Sequence, residues 1–197
     1  MVPNVTEYDA GNDPYRYAGT SVLKNIPGIR DQAALDEFES VLVRQRSLEA
    51  LPQGRLTVRH YRSIHHHLFQ DVYSWAGRFR TVRTHKGAST FCYPEHIADQ
   101  MKQLFDGLKR TEYFIGLSAR AFASRAAHFL ATLNAIHPFR EGNGRAQNAF
   151  LGLSAARAGH GLDLARLNEV SFHDAMIESF SGSEEPLARE IFALIDP

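Results

Sequence analysis

The sequence predicts an all-α domain that carries one short β-hairpin, and three observations lead there. Apolar residues recur at helical spacing through most of the chain, with Asp31 and Ser118 placed as N-caps. Only residues 81–93 are rich in the β-branched and aromatic types that favour extended backbone. The 197 residues contain no internal repeat, low-complexity tract or linker, so one domain spanning residues 1–197 is the simplest organisation.

The elements follow in order. Residues 1–20 are rich in Gly, Pro, Asn, Asp and Tyr, which suits a partly irregular arm pinned by Tyr15, Tyr17 and Val22. Leu35, Phe38, Val41 and Leu42 predict a helix from Asp31 to about Leu51, stopped at Pro52-Gln53-Gly54. Tyr61, Ile64, Leu68, Phe69 and Val72 predict a second helix over Thr57 to Val72. Its run His65-His66-His67 is not a metal site, because consecutive helical residues point about 100° apart and do not converge on one ion.

Thr81, Val82, Thr84, Thr90, Phe91 and Tyr93 predict two short extended arms joined by a turn at Lys86-Gly87-Ala88. A lone hairpin is marginal, so it must lean on helices, either as a connector or as a flap offering backbone groups to a ligand. Ile97, Met101, Leu104, Phe105 and Leu108 mark a helix over residues 95–110. Phe122, Ala126, Phe129, Leu130 and Leu133 mark the next, the central core member, ending near Ile136 because Pro138 pushes the residue before it out of helical geometry. Ala146, Ala149, Phe150, Leu153 and Ala156 predict a helix from Asn143 or Gly144 to the stop at Gly159 and Gly161. Two weaker helices over residues 163–180 and 186–195 complete the chain.

Composition narrows the function classes. Hydrophobic content of 44% and charged content of 22% are ordinary for a globular protein. With 22 basic and 22 acidic residues the net charge is zero, which argues against a general nucleic-acid binder. The single cysteine, Cys92, fits a reducing compartment, and the N-terminus lacks the pattern of a secretory signal. No stretch approaches the ~20 apolar residues of a membrane span, so a cytoplasmic protein without membrane partners is the expectation.

One connection concentrates chemistry. His137-Pro138-Phe139-Arg140-Glu141-Gly142-Asn143-Gly144-Arg145 places a titratable base, a carboxylate, a Gly-Asn-Gly turn and a fixed cation between two helices. A helix N-terminus offers unpaired N–H groups and partial positive charge, and Gly142 and Gly144 let the backbone curl toward an anion. Asn143 can cap the helix or donate to a phosphate oxygen, and Arg145 can grip phosphate through two parallel N–H groups. Glu141 amid this positive potential is explained by a hard cation bridging carboxylate and phosphates, for which Mg²⁺ is the usual choice. His137 supplies an imidazole, a group whose unperturbed pKa near 6.5 suits proton abstraction from an alcohol. The plain structural alternative makes Asn143 a cap, Glu141 a first-turn acid and the glycines turn formers. P-loop and strand-led dinucleotide fingerprints are absent.

The stretch resembles the signature of Fic domain proteins, His-x-Phe-x-(Asp/Glu)-Gly-Asn-Gly-Arg-x-x-Arg. The upstream segment from His67 to Arg80, with its Trp75-Ala76-Gly77, is similar to the one that precedes the Fic flap, and the resemblance extends over roughly residues 12–195. It implies a Fic-type helical bundle with a β-hairpin flap, and transfer of AMP from ATP to a Ser, Thr or Tyr hydroxyl of a target protein. By this resemblance His137 is the base, Glu141 holds Mg²⁺, Gly142, Asn143 and Gly144 cradle phosphates, and Arg145 neutralises the leaving pyrophosphate. Lys86 and Gly87 of the flap contact nucleotide, and Thr90 and Phe91 hold the target segment as an added strand. Asn148 stands where the family has its last arginine, the contact to the terminal phosphates; a different donor, such as one giving phosphate or phosphocholine, or a weakly catalytic binding module, are the readings this departure favours. Self-inhibited Fic proteins carry a Ser/Thr-x-x-x-Glu-Gly/Asn helix; the nearest match here, Ser181 to Pro186, ends in proline. An unguarded chain resembles the toxin class held by a small separate antitoxin and acting on DNA gyrase or topoisomerase IV. A secreted effector domain is the alternative.

Overall fold

The structure is a computed structural model and describes residues 13–86, 89–180 and 182–196. Seven helices carry it: α1 (Gln32–Ser47), α2 (Val58–Phe69), α3 (Pro94–Arg110), α4 (Ala119–Ile136), α5 (Asn143–Ala158), α6 (Glu169–Phe180) and α7 (Glu185–Leu194). Between α2 and α3, β1 (His85–Lys86) and β2 (Ser89–Thr90) form an antiparallel hairpin with His85 opposite Thr90. No helix among the described residues is long and apolar enough to cross a membrane.

α4 is the hub, packed against α3, α5, α6 and α7. Phe122, Ala126, Phe129, Leu130 and Leu133 are all buried, as their spacing requires. An aromatic cluster joins three further elements to it: Tyr61 of α2 lies 5.4 Å from both Phe139 and Phe150, and Phe105 of α3 lies 5.4 Å from Phe129. Phe139 is thereby anchored, fully buried, directly after the α4 terminus. The site loop hangs from this aromatic centre.

Caps set the helix starts. Asp31 accepts from the Ala34 N–H at 2.9 Å, and Ser118 accepts from Ala121. The ends differ from the sequence expectation where tertiary contacts intervene. α1 stops at Ser47 and not near Leu51, because its last turn tightens to i→i−3 bonds from Leu48 to Gln45 and from Glu49 to Arg46. α1 leans mainly on α2, so its buried stripe is narrow; Leu35 and Val43 fill it, while Val41, expected inside, is exposed. α2 stops at Phe69, and Val72 is buried from the following turn.

The hairpin is shorter than the composition of residues 81–93 suggests, with two residues in each strand. Thr81 and Val82 lie outside it because the Arg80 guanidinium donates to Val82 O at 2.6 Å, while Thr84 keeps one bond to the other arm, accepting from the Phe91 N–H at 3.2 Å. The hairpin's base rests on α4, where the Cys92 N–H donates to Ala135 O at 3.0 Å. The described part of the arm is fixed to the body: Tyr15 packs edge-on to Trp75 at 5.5 Å, and the Asp13 carboxylate pairs with Arg140 at 2.8 Å, both side chains almost fully buried.

Candidate active site

The loop between α4 and α5 carries the candidate residues from His137 to Arg145, and each turn of that loop has a cause. His137 caps α4 in the left-handed region, φ 48°, with its N–H still bonded to Leu133 O at 3.0 Å. A non-glycine residue there is uncommon and persists where its surroundings enforce it. Arg80 enforces it. Its Nε donates to His137 O at 2.7 Å, and its Nη2 donates to Ile136 O at 3.2 Å and Cys92 O at 2.6 Å. The guanidinium, almost wholly buried, is therefore solvated by carbonyls of the α4 terminus and the hairpin base together. Burial pulls its pKa down to about 10, which leaves it charged at neutral pH. On its other side the His137 ring is stacked on Phe91 at 3.8 Å and 10°.

Phe91 thus differs from its expected place. The sequence puts it on the edge offered to a target strand, whereas its side chain is buried between His137 and Phe180. Thr90 is exposed on the hairpin edge. Gly87 lies outside the described residues, as does the side chain of Lys86.

The Gly-Asn-Gly turn divides its labour. Gly142 has φ 79°, and a Cβ there would lie 2.2 Å from the Phe69 ring, so only glycine fits. Gly144 has open space where a Cβ would be, on the exposed first turn of α5. Asn143 is buried: its Oδ1 accepts from the Phe139 N–H at 3.0 Å, and its Nδ2 donates to Phe139 O at 2.8 Å. The amide that the sequence offers as a cap or phosphate donor is instead turned inward, closing the loop on itself.

Behind the loop stands His65 of α2. Its Nε2–H donates to Glu141 O at 2.9 Å and its Nδ1 accepts from the Gly77 N–H at 2.9 Å, a pair that requires the neutral ring. Burial first, with some help from Arg145 and His66, holds its pKa down at about 3. His66 turns to Ala76 O at 3.2 Å and His67 to Arg46 O at 2.9 Å, so the three successive histidines serve three different backbone partners.

Charge is layered at the α5 N-terminus. The Glu141 carboxylate accepts from the Gly142 N–H at 2.9 Å and stands 3.5 Å from Arg145 Nη2. The same Nη2 lies 2.5 Å from Glu39 Oε1 of α1, and the guanidinium rests 4.6 Å above the Phe69 ring. Tyr73 donates its hydroxyl to the other Glu39 oxygen. Burial raises the Glu39 pKa, against the lowering pull of Arg145. Asn148 is half-buried one turn further along α5.

Glu39, His65, Tyr73 and Arg80 are the residues that sequence reasoning passed over. Tyr73 and Arg80 flank the Trp75-Ala76-Gly77 segment, but no spacing rule ties a residue there to a histidine 57 positions later. His65 sits on the apolar face of an amphipathic helix, where burial was legible and the partner was not.

A histidine at the α4 terminus, a short Gly-Asn-Gly loop, a second helix starting at Asn143 and a hairpin whose Phe91 stacks on that histidine define the class: the chain belongs to the Fic/DOC family, whose model matches residues 55–154. Among its relatives is y4lH of Sinorhizobium fredii, described as a probable protein adenylyltransferase, 50% identical over 97% of this chain and all of the relative. The protein adenylyltransferase VbhT of Bartonella schoenbuchensis is 38% identical over 91% of this chain but only 38% of its own length. The Fic protein of Escherichia coli K12, likewise described as a probable protein adenylyltransferase, is 33% identical over 86% of this chain and 85% of the relative. Among solved structures, the Bartonella tribocorum effector BepC, with bound AMPPNP, matches with a TM-score of 0.83 at 29% identity, over 93% of this chain and 96% of that one.

Proposed function

We propose that this chain is a protein adenylyltransferase, moving AMP from ATP to a hydroxyl side chain of another protein. The observation that carries the proposal is that one loop joins His137 at the end of α4 to the Glu141 carboxylate and the open first turn of α5 at Gly144. His137, held by Arg80 beneath its carbonyl and by Phe91 against its ring, takes the proton from the incoming hydroxyl. The hydroxyl oxygen attacks the α-phosphorus of ATP; a new P–O bond forms as the bond to pyrophosphate breaks. The N–H groups at Gly144 and the Arg145 guanidinium receive the charge on the phosphates, so positioning and electrostatics supply most of the catalysis.

Mg²⁺ suits the residues present. Glu141 offers a hard carboxylate oxygen at the rim of the loop. One carboxylate together with phosphate oxygens and water would make the oxygen shell that Mg²⁺ takes. When bound, the ion screens the phosphates. On this reading Glu141 holds it, Gly142 and Asn143 shape the loop, Thr90 presents the hairpin edge to the target segment, and Lys86 and Gly87 are the nucleotide contacts that the family resemblance implies.

The test is incubation with ATP labelled on its α-phosphate, Mg²⁺ and a bacterial lysate. A labelled protein is expected, and His137→Ala should lower the rate by roughly 10²–10⁴-fold, the usual worth of a general base. Labelling that survives this substitution overturns the mechanism. Asn148 favours a second reading, a different transferred group, because asparagine brings neither charge nor fork to the terminal phosphates. The mass added to the target separates the two: AMP supports the first, phosphate or phosphocholine the second.

For the target we propose a subunit of DNA gyrase or topoisomerase IV, and for control a small inhibitor on a separate chain acting in the cytoplasm. The second proposal is supported by Glu185, the glutamate of the nearest inhibitory-type segment, which is followed by Pro186 and stands exposed beside Arg189 of its own helix at 3.8 Å. Labelling of purified topoisomerase subunits tests the first.

A further inference from the structure

We infer that Glu39 of α1 is a positioning residue: it draws Arg145 away from Glu141 and so keeps the Glu141 carboxylate open to the divalent cation that accompanies the nucleotide. The inference rests on the nucleotide-transfer reading above and adds to it a residue from the far side of the chain.

Arg145 stands between two carboxylates. Its Nη2 is 2.5 Å from Glu39 Oε1 but 3.5 Å from Glu141 Oε1. Charge-assisted N–H···O bonds are strong near 2.7–2.9 Å and weak at the longer distance, so Nη2 of the guanidinium is committed to Glu39. Arg145 and Glu141 are four residues apart around the start of α5, close enough to close on each other if nothing else held the cation. What holds it is itself held. Glu39 is 12% exposed at its side chain, and Tyr73 fixes its second oxygen. Phe69 supports the guanidinium from below, and the same ring closes against Gly142.

The Glu141 side chain, 29% exposed, spends Oε1 on the Gly142 N–H at 2.9 Å. Among the described residues Oε2 has no hydrogen-bond partner. A carboxylate with one oxygen tied to the backbone and one uncommitted can ligate a cation only if the neighbouring guanidinium does not occupy it first. Removing the Glu39 charge frees Arg145 to make that competing pair. The expected consequence is specific: nucleotide binding without metal changes little, while the gain in affinity that metal confers shrinks.

The experiment measures binding and not turnover. The dissociation constant of a non-hydrolysable ATP analogue is determined by calorimetry in excess Mg²⁺ and in EDTA, for the unaltered chain, Glu39→Gln, Glu141→Gln and the double variant. The ratio of the two constants is the metal enhancement. Glu39→Gln should reduce that ratio on the order of fivefold, the worth of one competing ion pair. Glu141→Gln should abolish the enhancement, and adding Glu39→Gln to it should change nothing further. An unchanged ratio in Glu39→Gln overturns the inference. So does tighter binding in both media, which would mean that Glu39 restrains Arg145 from the phosphates. Should Glu39→Gln fail to fold, Glu39→Asp keeps the charge on a shorter reach and should give a smaller reduction in the ratio; no reduction overturns the inference equally. Because transfer to a target is not measured, failure of the adenylyltransferase reading shows separately, as an unaltered chain that binds nucleotide with metal enhancement but labels no protein.

Discussion

Replacing Arg80 by Met tests whether a buried guanidinium, remote from the nucleotide, sets the geometry of His137. The substitution keeps length and apolar stem but removes every donor. Four carbonyls lose a partner: His137 O at 2.7 Å, Val82 O and Cys92 O at 2.6 Å each, and Ile136 O at 3.2 Å. A buried acceptor left unsatisfied costs about 1–3 kcal/mol, and loop carbonyls can tilt toward water, so the lower end applies, giving about 4 kcal/mol in total. That is a large share of the roughly 5–15 kcal/mol that holds a domain folded. Lysine restores the charge and a few donors without the planar fork, so Arg80→Lys should lose about half as much. The His137 carbonyl is also the pin that keeps its backbone left-handed, so in the folded fraction the transfer rate should fall about 10²-fold, as displacement of a reacting group does. Urea unfolding of the three proteins gives the stabilities, and initial rates of α-phosphate labelling give the activities. The reasoning fails if Arg80→Met unfolds within about 1 kcal/mol of the unaltered chain and labels at an undiminished rate, since Arg80 would then merely fill space.

Two further outcomes follow from the same geometry. Gly142→Ala places a Cβ 2.2 Å from the Phe69 ring at φ 79°, so urea unfolding should show a loss of roughly 2–4 kcal/mol, and labelling should collapse as the loop shifts. His65 has a folded pKa of about 3 against an ordinary value near 6.5, so between these limits the unfolded chain binds a proton that the native chain refuses. Stability should therefore fall as pH drops below about 6.5, by up to about 1.4 kcal/mol per pH unit, and His65→Gln should flatten that slope when urea midpoints are compared between about pH 6 and 5.

The sequence carried the helices and the loop, because both are local. Asp31 and Ser118 mark starts, Phe122 to Leu133 mark the buried face of α4, and the run from His137 to Arg145 is contiguous. Periodicity, capping and turn chemistry all operate within a few residues, so a linear reading captures them. It erred where a distant partner overrode local preference. Thr81 and Val82 have strand-forming side chains, yet Arg80 captures the Val82 carbonyl and the ladder shrinks to two residues per strand. Phe91 alternates as an edge residue should, yet the His137 ring offers a better surface than solvent.

What the chain determined by itself, then, was which chemical groups stand at the end of α4 and the start of α5. Only the tertiary structure decided how they are held. Asp13 reaches Arg140 across 127 positions, Glu39 reaches Arg145 across 106, His65 reaches Glu141 across 76, and Arg80 reaches His137 across 57. None of these pairs leaves a local trace, since a buried polar side chain is chosen by whatever donor or acceptor the packed core leaves open beside it. A side chain on α1 and two on either side of the Trp75-Ala76-Gly77 turn become parts of one site only when α2, α4 and α5 close around Phe69 and Phe139.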